Sequence, residues 1–109
     1  MSRPVRKSEQ FIADFDRQYR WYFQEAGGDL ARRYLLAVDS TLEQVSRFPD
    51  IGNMRRFPQP ELRGIRFFPV ERPFYRHLVF YRADELYVDA WRILHGARDL
   101  PNRLIEPTI

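Results

Sequence analysis

Arg63, Arg66, Arg76, Arg82, Arg92, Arg98 and His95 form a constellation in or beside the strands expected in the second half of this sequence, and such side chains can hold an anion or move a proton. Arginine offers a planar fork of donors that matches phosphate and carboxylate oxygens, and it stays protonated at any physiological pH. Histidine is the side chain that gains and loses a proton near neutrality. On one open face of a sheet this set could bind phosphates or an acidic protein surface. The same charges could also merely solvate exposed strands and discourage edge-to-edge pairing. The densest group is the run 92–101, where apolar strand residues, His95, Gly96 and the pair Arg98 and Asp99 follow one another. Gly96 is expected to break the last strand, with Arg98 and Asp99 anchoring the tail beyond it. Arg63, Arg66, Arg82, Trp91 and Arg98 are the candidates for contact with a partner or target.

Other chemistry finds little support. Of 18 basic residues 17 are arginine, so lysine chemistry has one candidate, Lys7. A GC-rich genome is the preferred account of that bias, ahead of selection for arginine chemistry. Cysteine is absent, which excludes disulfides and thiolate metal sites and fits a reducing compartment. His77 and His95 both fall on expected strands and form no helical i, i+4 pair, so no metal or cofactor is expected. There is no Gly-rich phosphate loop, no nucleophile elbow and no helix-turn-helix pattern. No apolar h-region follows Met1 and no run is long enough to span a bilayer. The expectation is a cytoplasmic protein with no membrane association, folded as a single domain over residues 1–109.

The elements that must position these groups divide the chain in two. Ser8 is a plausible helix N-cap with Glu9 in the first turn. Phe11, Phe15, Tyr19, Tyr22 and Ala26 then recur at helical spacing, flanked by Ile12 and Phe23. Gly27 and Gly28 end that helix, and Asp29 is expected to cap a second one carrying Ala31, Tyr34, Leu35, Val38, Leu42 and Val45, stopped by Pro49. The short link folds the two back as an antiparallel pair. A proline-rich loop follows, and then strands are expected over 62–70, 75–81 and 86–95, with residues 5–6 a possible edge strand. In the last strand Val88, Ala90 and Leu94 are expected to face the helices. Asp89, Trp91, Ile93 and His95 are expected on the more open face. The fold class is therefore α+β: an N-terminal antiparallel helical hairpin packed on one face of a small, mainly antiparallel three- to four-stranded sheet.

Four segments carry a family likeness. They are Tyr34 and Leu42 with the run 48–52 (Phe-Pro-Asp-Ile-Gly), the run 62–66 (Leu-Arg-Gly-Ile-Arg), the run 77–82 (His-Leu-Val-Phe-Tyr-Arg), and the run 92–99 (Arg-Ile-Leu-His-Gly-Ala-Arg-Asp). In this order they resemble the ParE branch of the ParE/RelE toxin superfamily. The resemblance implies the toxin half of a type II toxin–antitoxin system, of the kind linked to plasmid stabilisation and growth inhibition. It implies a hetero-oligomer with a cognate antitoxin. ParE-like members inhibit DNA gyrase; RelE-like members cleave mRNA on the ribosome. A non-catalytic gyrase inhibitor is the preferred expectation, with His95 structural. The ribonuclease alternative would place His95, Arg92, Arg66 and Arg76 around the scissile phosphate, with Glu61 or Glu71 as base. A third alternative is a degenerate member that only binds its partner.

Overall fold

The computed structural model describes residues 2–54 and 56–96. A short strand β1 (Val5–Lys7) leads into helices α1 (Glu9–Ala26) and α2 (Gly28–Arg47). Strands β2 (Asn53–Met54), β3 (Arg66–Pro69), β4 (His77–Ala83) and β5 (Val88–His95) follow, with a 3-10 turn at Pro60–Leu62 before β3. The sheet order is β1-β5-β4-β3-β2. β1 runs parallel to β5, and the remaining pairs are antiparallel. This is the expected α+β plan, widened to five strands by the foreseen edge at β1 and by the two-residue β2.

Ser8 starts α1 as its sequence suggests. Its hydroxyl accepts from the Phe11 N–H at 2.9 Å and donates to the Trp91 carbonyl at 2.6 Å, joining cap and sheet. The helix link differs from expectation. Gly27, at φ +88°, both ends α1 and precedes α2, so Asp29 lies in the first turn rather than at the cap. There its charge still suits the helix N-terminus. Only a residue without a Cβ takes this backbone turn easily, which explains why one glycine does both jobs.

The strand-forming half starts later than its apolar pattern suggests. Residues 62–65 close turns onto Gln59, Pro60 and Leu62, and Gly64 adopts φ +78°, so pairing begins only at Arg66. Turns through Phe74 likewise delay β4 to His77. The largest departure is in β5. Phe80 pairs with Arg92 but Tyr81 pairs with Ala90, leaving Trp91 as an extra residue, a β-bulge. A bulge breaks the period-2 alternation. Val88, Ala90 and Ile93 therefore join the helix-side core, whereas Leu94 joins a second cluster with Leu62, Ile65 and Phe80. The expected grouping of Leu94 with Val88 and Ala90, and of Ile93 with the open face, is corrected by that one residue.

The main core lies between hairpin and sheet. Phe11, Tyr34, Val38, Leu42 and Val45 pack on Val79, Tyr81 and Val88. Each such side chain removed from water contributes roughly 1.5–3 kcal/mol. The opposite face of the sheet is covered in part by the segment before β3, where Leu62 and Ile65 are fully buried.

Candidate functional site

The arginines expected to meet a substrate or target are largely engaged by the fold itself. Arg92 is buried, and its Nε and Nη2 reach the two carboxylate oxygens of buried Asp14 at 2.7 and 2.8 Å. Asp14 also accepts from the Ile93 N–H at 3.2 Å. This N–H points away from β4, at a level β1 does not cover, since β1 pairs only as far as Ala90. One carboxylate thus closes the open edge of β5 and fixes α1 against it. Arg66 donates to the Gly52 carbonyl at 2.9 Å and lies 3.6 Å from the Asp50 carboxylate, pinning the loop after α2. Arg82 donates to the carbonyls of Arg63 and Glu61 and lies over the Trp91 ring, 4.6 Å from its centroid. Arg63 and Arg76 are exposed. Arg98 and Asp99 lie outside the described residues. Gly96 takes φ +51° directly after β5, in keeping with a strand break, and its N–H bonds the Arg76 carbonyl.

His95 belongs to a different neighbourhood. It pairs with His77 across β4 and β5, ring centroids 4.7 Å apart, and shares an open pocket with Gln18, Trp21 and Tyr22. His77 is buried and shares a 2.9 Å hydrogen bond with the Tyr22 hydroxyl. Tyr34, Phe74 and Tyr22 surround the His77 ring. Arg66 pairs with Tyr81, four residues along β4 from His77. That is about 13 Å along the strand and two strand spacings, about 10 Å, across from His95. Proton transfer and phosphate neutralisation require groups within hydrogen-bond reach of the same atoms. Of the four candidate ribonuclease residues, only Arg76 and His95 come to one end of the sheet. Glu61 and Glu71 are exposed, on the 3-10 turn and the β3–β4 connection respectively.

The His77 cluster sets a pH dependence. Burial, with a smaller contribution from His95, pushes the His77 imidazole down to about 4. The native state therefore holds it neutral, while the unfolded chain takes up a proton near 6.5. The contribution is complete above pH 6.5 and is lost as pH falls from 6.5 towards 4, amounting to about 3 kcal/mol in all. Urea midpoints at pH 7.5 and 4.5 should differ less for His77→Phe than for the parent chain. Equal differences would remove His77 as the cause.

The model of the ParE toxin of the type II toxin–antitoxin system parDE matches residues 5–100. The chain belongs to the ParE toxin family. No curated protein matches its sequence. Among solved structures, one described as the chromosomal ParDE TA system from P. aeruginosa is similar in fold, with a TM-score of 0.70. The match covers 88% of this chain and 98% of that one at 18% identity. Among the described residues of this ParE-family chain, no helix is long and apolar enough to cross a membrane, and no three His, Cys, Asp or Glu side chains gather as a metal cradle.

The hairpin of this family member has an apolar outer surface as well as its buried stripe. Phe11, Ile12, Phe15, Leu35 and Val38 line a groove between α1 and α2, with Lys7 and Asp39 also contributing. Ile12, Trp21, Phe23 and Leu36 are each more than half exposed. Trp21 and Phe23 of α1 lie outside the hydrophobic core. Both are offset along the helix from the stripe of Phe11, Phe15 and Tyr22.

Proposed function

We propose that this ParE-family toxin acts by binding rather than by chemistry, inhibiting DNA gyrase through surface contacts until a cognate antitoxin covers it. The observation that carries the reading is the engagement of Arg92 with Asp14 and of Arg66 with the loop at residues 50–52, which withdraws two of the four groups a ribonuclease would need. What remains at the surface is an apolar helical groove and scattered arginines, which suit protein recognition. A net charge of +3 suits an acidic antitoxin segment that folds on docking. Such a toxin works in the cytoplasm, where gyrase and a neighbouring-gene antitoxin are found.

Purified full-length chain should inhibit gyrase supercoiling or trap cleaved DNA, and added antitoxin should restore activity. Unchanged supercoiling over a wide concentration range would overturn the gyrase target. Codon-positioned cuts in translated mRNA, lost in folded His95→Ala and Arg76→Ala variants, would establish the ribonuclease alternative instead. Arg92→Ala is a poor probe of that question, because it breaks the fold before it reports on chemistry. A chain harmless when expressed without its antitoxin would leave only partner binding.

A further inference from the structure

We propose that the pocket where β1, β5 and β4 lie side by side binds a phosphate monoester, carried by a free nucleotide or by the 5′ end of a nucleic-acid strand. The pocket measures roughly 230 Å³, and Arg6, Lys7, Arg82, Asp89 and Trp91 are among its lining residues. Arg6, Asp89 and Arg82 stand in one row, because Asp89 is the register partner of Arg6 on β1 and of Arg82 on β4. Tyr81, Val88 and Ala90 belong to the helix-side core, so alternation turns Arg82 and Asp89 to the opposite face. The bulged residue Trp91 joins them there: its ring packs with the second cluster, and Arg82 lies over it at 4.6 Å. Lys7 ends the edge strand β1 and completes the charged lining.

The charges of this pocket do not balance. Both carboxylate oxygens of Asp89 are taken by Arg6, at 2.7 and 3.0 Å. Arg82 donates instead to the carbonyls of Arg63 and Glu61 and makes no ion pair among the described residues. It is half-buried, and burial pulls its guanidinium below the ordinary arginine value while leaving it protonated. Lys7, the one lysine of the chain, likewise makes no ion pair among the described residues. Arg6, Lys7 and Arg82 against Asp89 leave a surplus of two positive charges around one cavity. A cation drawn partly out of water without a counter-charge costs free energy, and a bound anion offsets that cost.

The surplus selects the anion. A phosphate monoester carries about −1.5 to −2 near neutrality, which matches it better than a lone carboxylate or a phosphodiester does. Arg6 uses Nε and Nη2 on Asp89, and Arg82 uses Nε and Nη2 on backbone carbonyls, so the Nη1 donors of both remain for the ligand. Lys7 adds an ammonium, and the oxygens of one phosphate can accept from all three. Half-buried Trp91 offers a ring surface to the sugar or base that the phosphate carries. None of His95, Arg92, Arg66 and Arg76 lines this pocket. The site is therefore separate from the ribonuclease candidates, and it stands whether the toxin disables gyrase or another target.

Trp21 and Trp91 are the two tryptophans of the chain, so Trp21→Phe leaves the Trp91 indole as a single reporter. The full-length chain with that change is titrated with AMP, adenosine and succinate, and with thymidine tetranucleotides bearing or lacking a 5′-phosphate. AMP is expected to shift the Trp91 indole N–H resonance saturably at millimolar concentration, while adenosine and succinate do not. Lys7→Gln should weaken AMP binding about three- to tenfold with an unchanged melting temperature, and Lys7→Arg should retain it. Arg82→Gln should abolish the saturable shift. If that change also lowers the melting temperature, the exposed Lys7 variants decide the question. A 5′-phosphorylated tetranucleotide that binds more tightly than AMP assigns the phosphate to a strand end, and equal or weaker binding assigns it to a free nucleotide. No saturable Trp91 shift with AMP, an equal shift with adenosine or succinate, tetranucleotide binding indifferent to the 5′-phosphate, or an AMP affinity unmoved by Lys7→Gln would each overturn the proposal.

Discussion

Replacing Asp14 by alanine should cost about 3–5 kcal/mol, the usual range when one partner of a buried ion pair is removed. The loss has two parts. The Arg92 guanidinium remains in the interior without the carboxylate that holds both its Nε and Nη2. The Ile93 N–H also loses its acceptor at the edge of β5. A domain of this size has about 5–15 kcal/mol in total, so the variant should be partly unfolded at 37 °C. Arg17, 3.6 Å from Asp14, cannot compensate, because it is an exposed cation and Asp14 is the group removed. Urea denaturation at pH 7 provides the check. The companion variant Asp14→Leu, Arg92→Met should recover much of the loss, since apolar replacement of both charges is often neutral or better. A single variant as stable as the parent would show that the pair does not hold α1 to the sheet.

The overall architecture was legible because it depends on periodicity and punctuation. The apolar spacing of α1 and α2, Ser8 before the first and the glycines between them all act locally, and they appear where the sequence puts them. What could not be read was which side each strand residue faces beyond residue 90. The Trp91 bulge shifts the phase of β5 by one, and nothing in the local pattern announces an inserted residue. The roles of the arginines were hidden for a related reason. Arg92 finds Asp14 from 78 positions away, and Arg66 finds Gly52 from 14. An arginine reads from sequence as an exposed charge until its distant partner is known. The motifs behind the family resemblance were legible as motifs, and the structure supplies their physical content. The Phe-Pro-Asp-Ile-Gly run at 48–52 is the loop that Tyr81 and Arg66 hold.

Gly52 sets the second large effect, by lack of space rather than by backbone freedom. A Cβ placed there would lie 2.4 Å from the Tyr81 hydroxyl oxygen, 2.8 Å from Cε1 and 2.9 Å from Cζ. Tyr81 is fully buried in the main core and cannot swing aside. The close approach has a purpose. The Gly52 N–H donates to the Tyr81 hydroxyl at 2.9 Å, and that hydroxyl donates to the Pro49 carbonyl at 2.7 Å, tying the end of α2 to β4. Gly52→Ala should therefore cost about 2–4 kcal/mol, combining overpacking with a disturbed hydrogen bond. Tyr81→Phe should cost about 1–3 kcal/mol, because it leaves the Gly52 N–H and the Pro49 carbonyl unpaired. The double variant separates clash from hydrogen bonding. Removing the hydroxyl deletes the nearest clashing atom but leaves the two ring carbons, so Gly52→Ala should cost less in the Tyr81→Phe background than in the parent. Strictly additive losses in the four-variant cycle would mean that the loop moves away from Tyr81 instead of pressing on it, and the pin would then be weaker than its geometry implies.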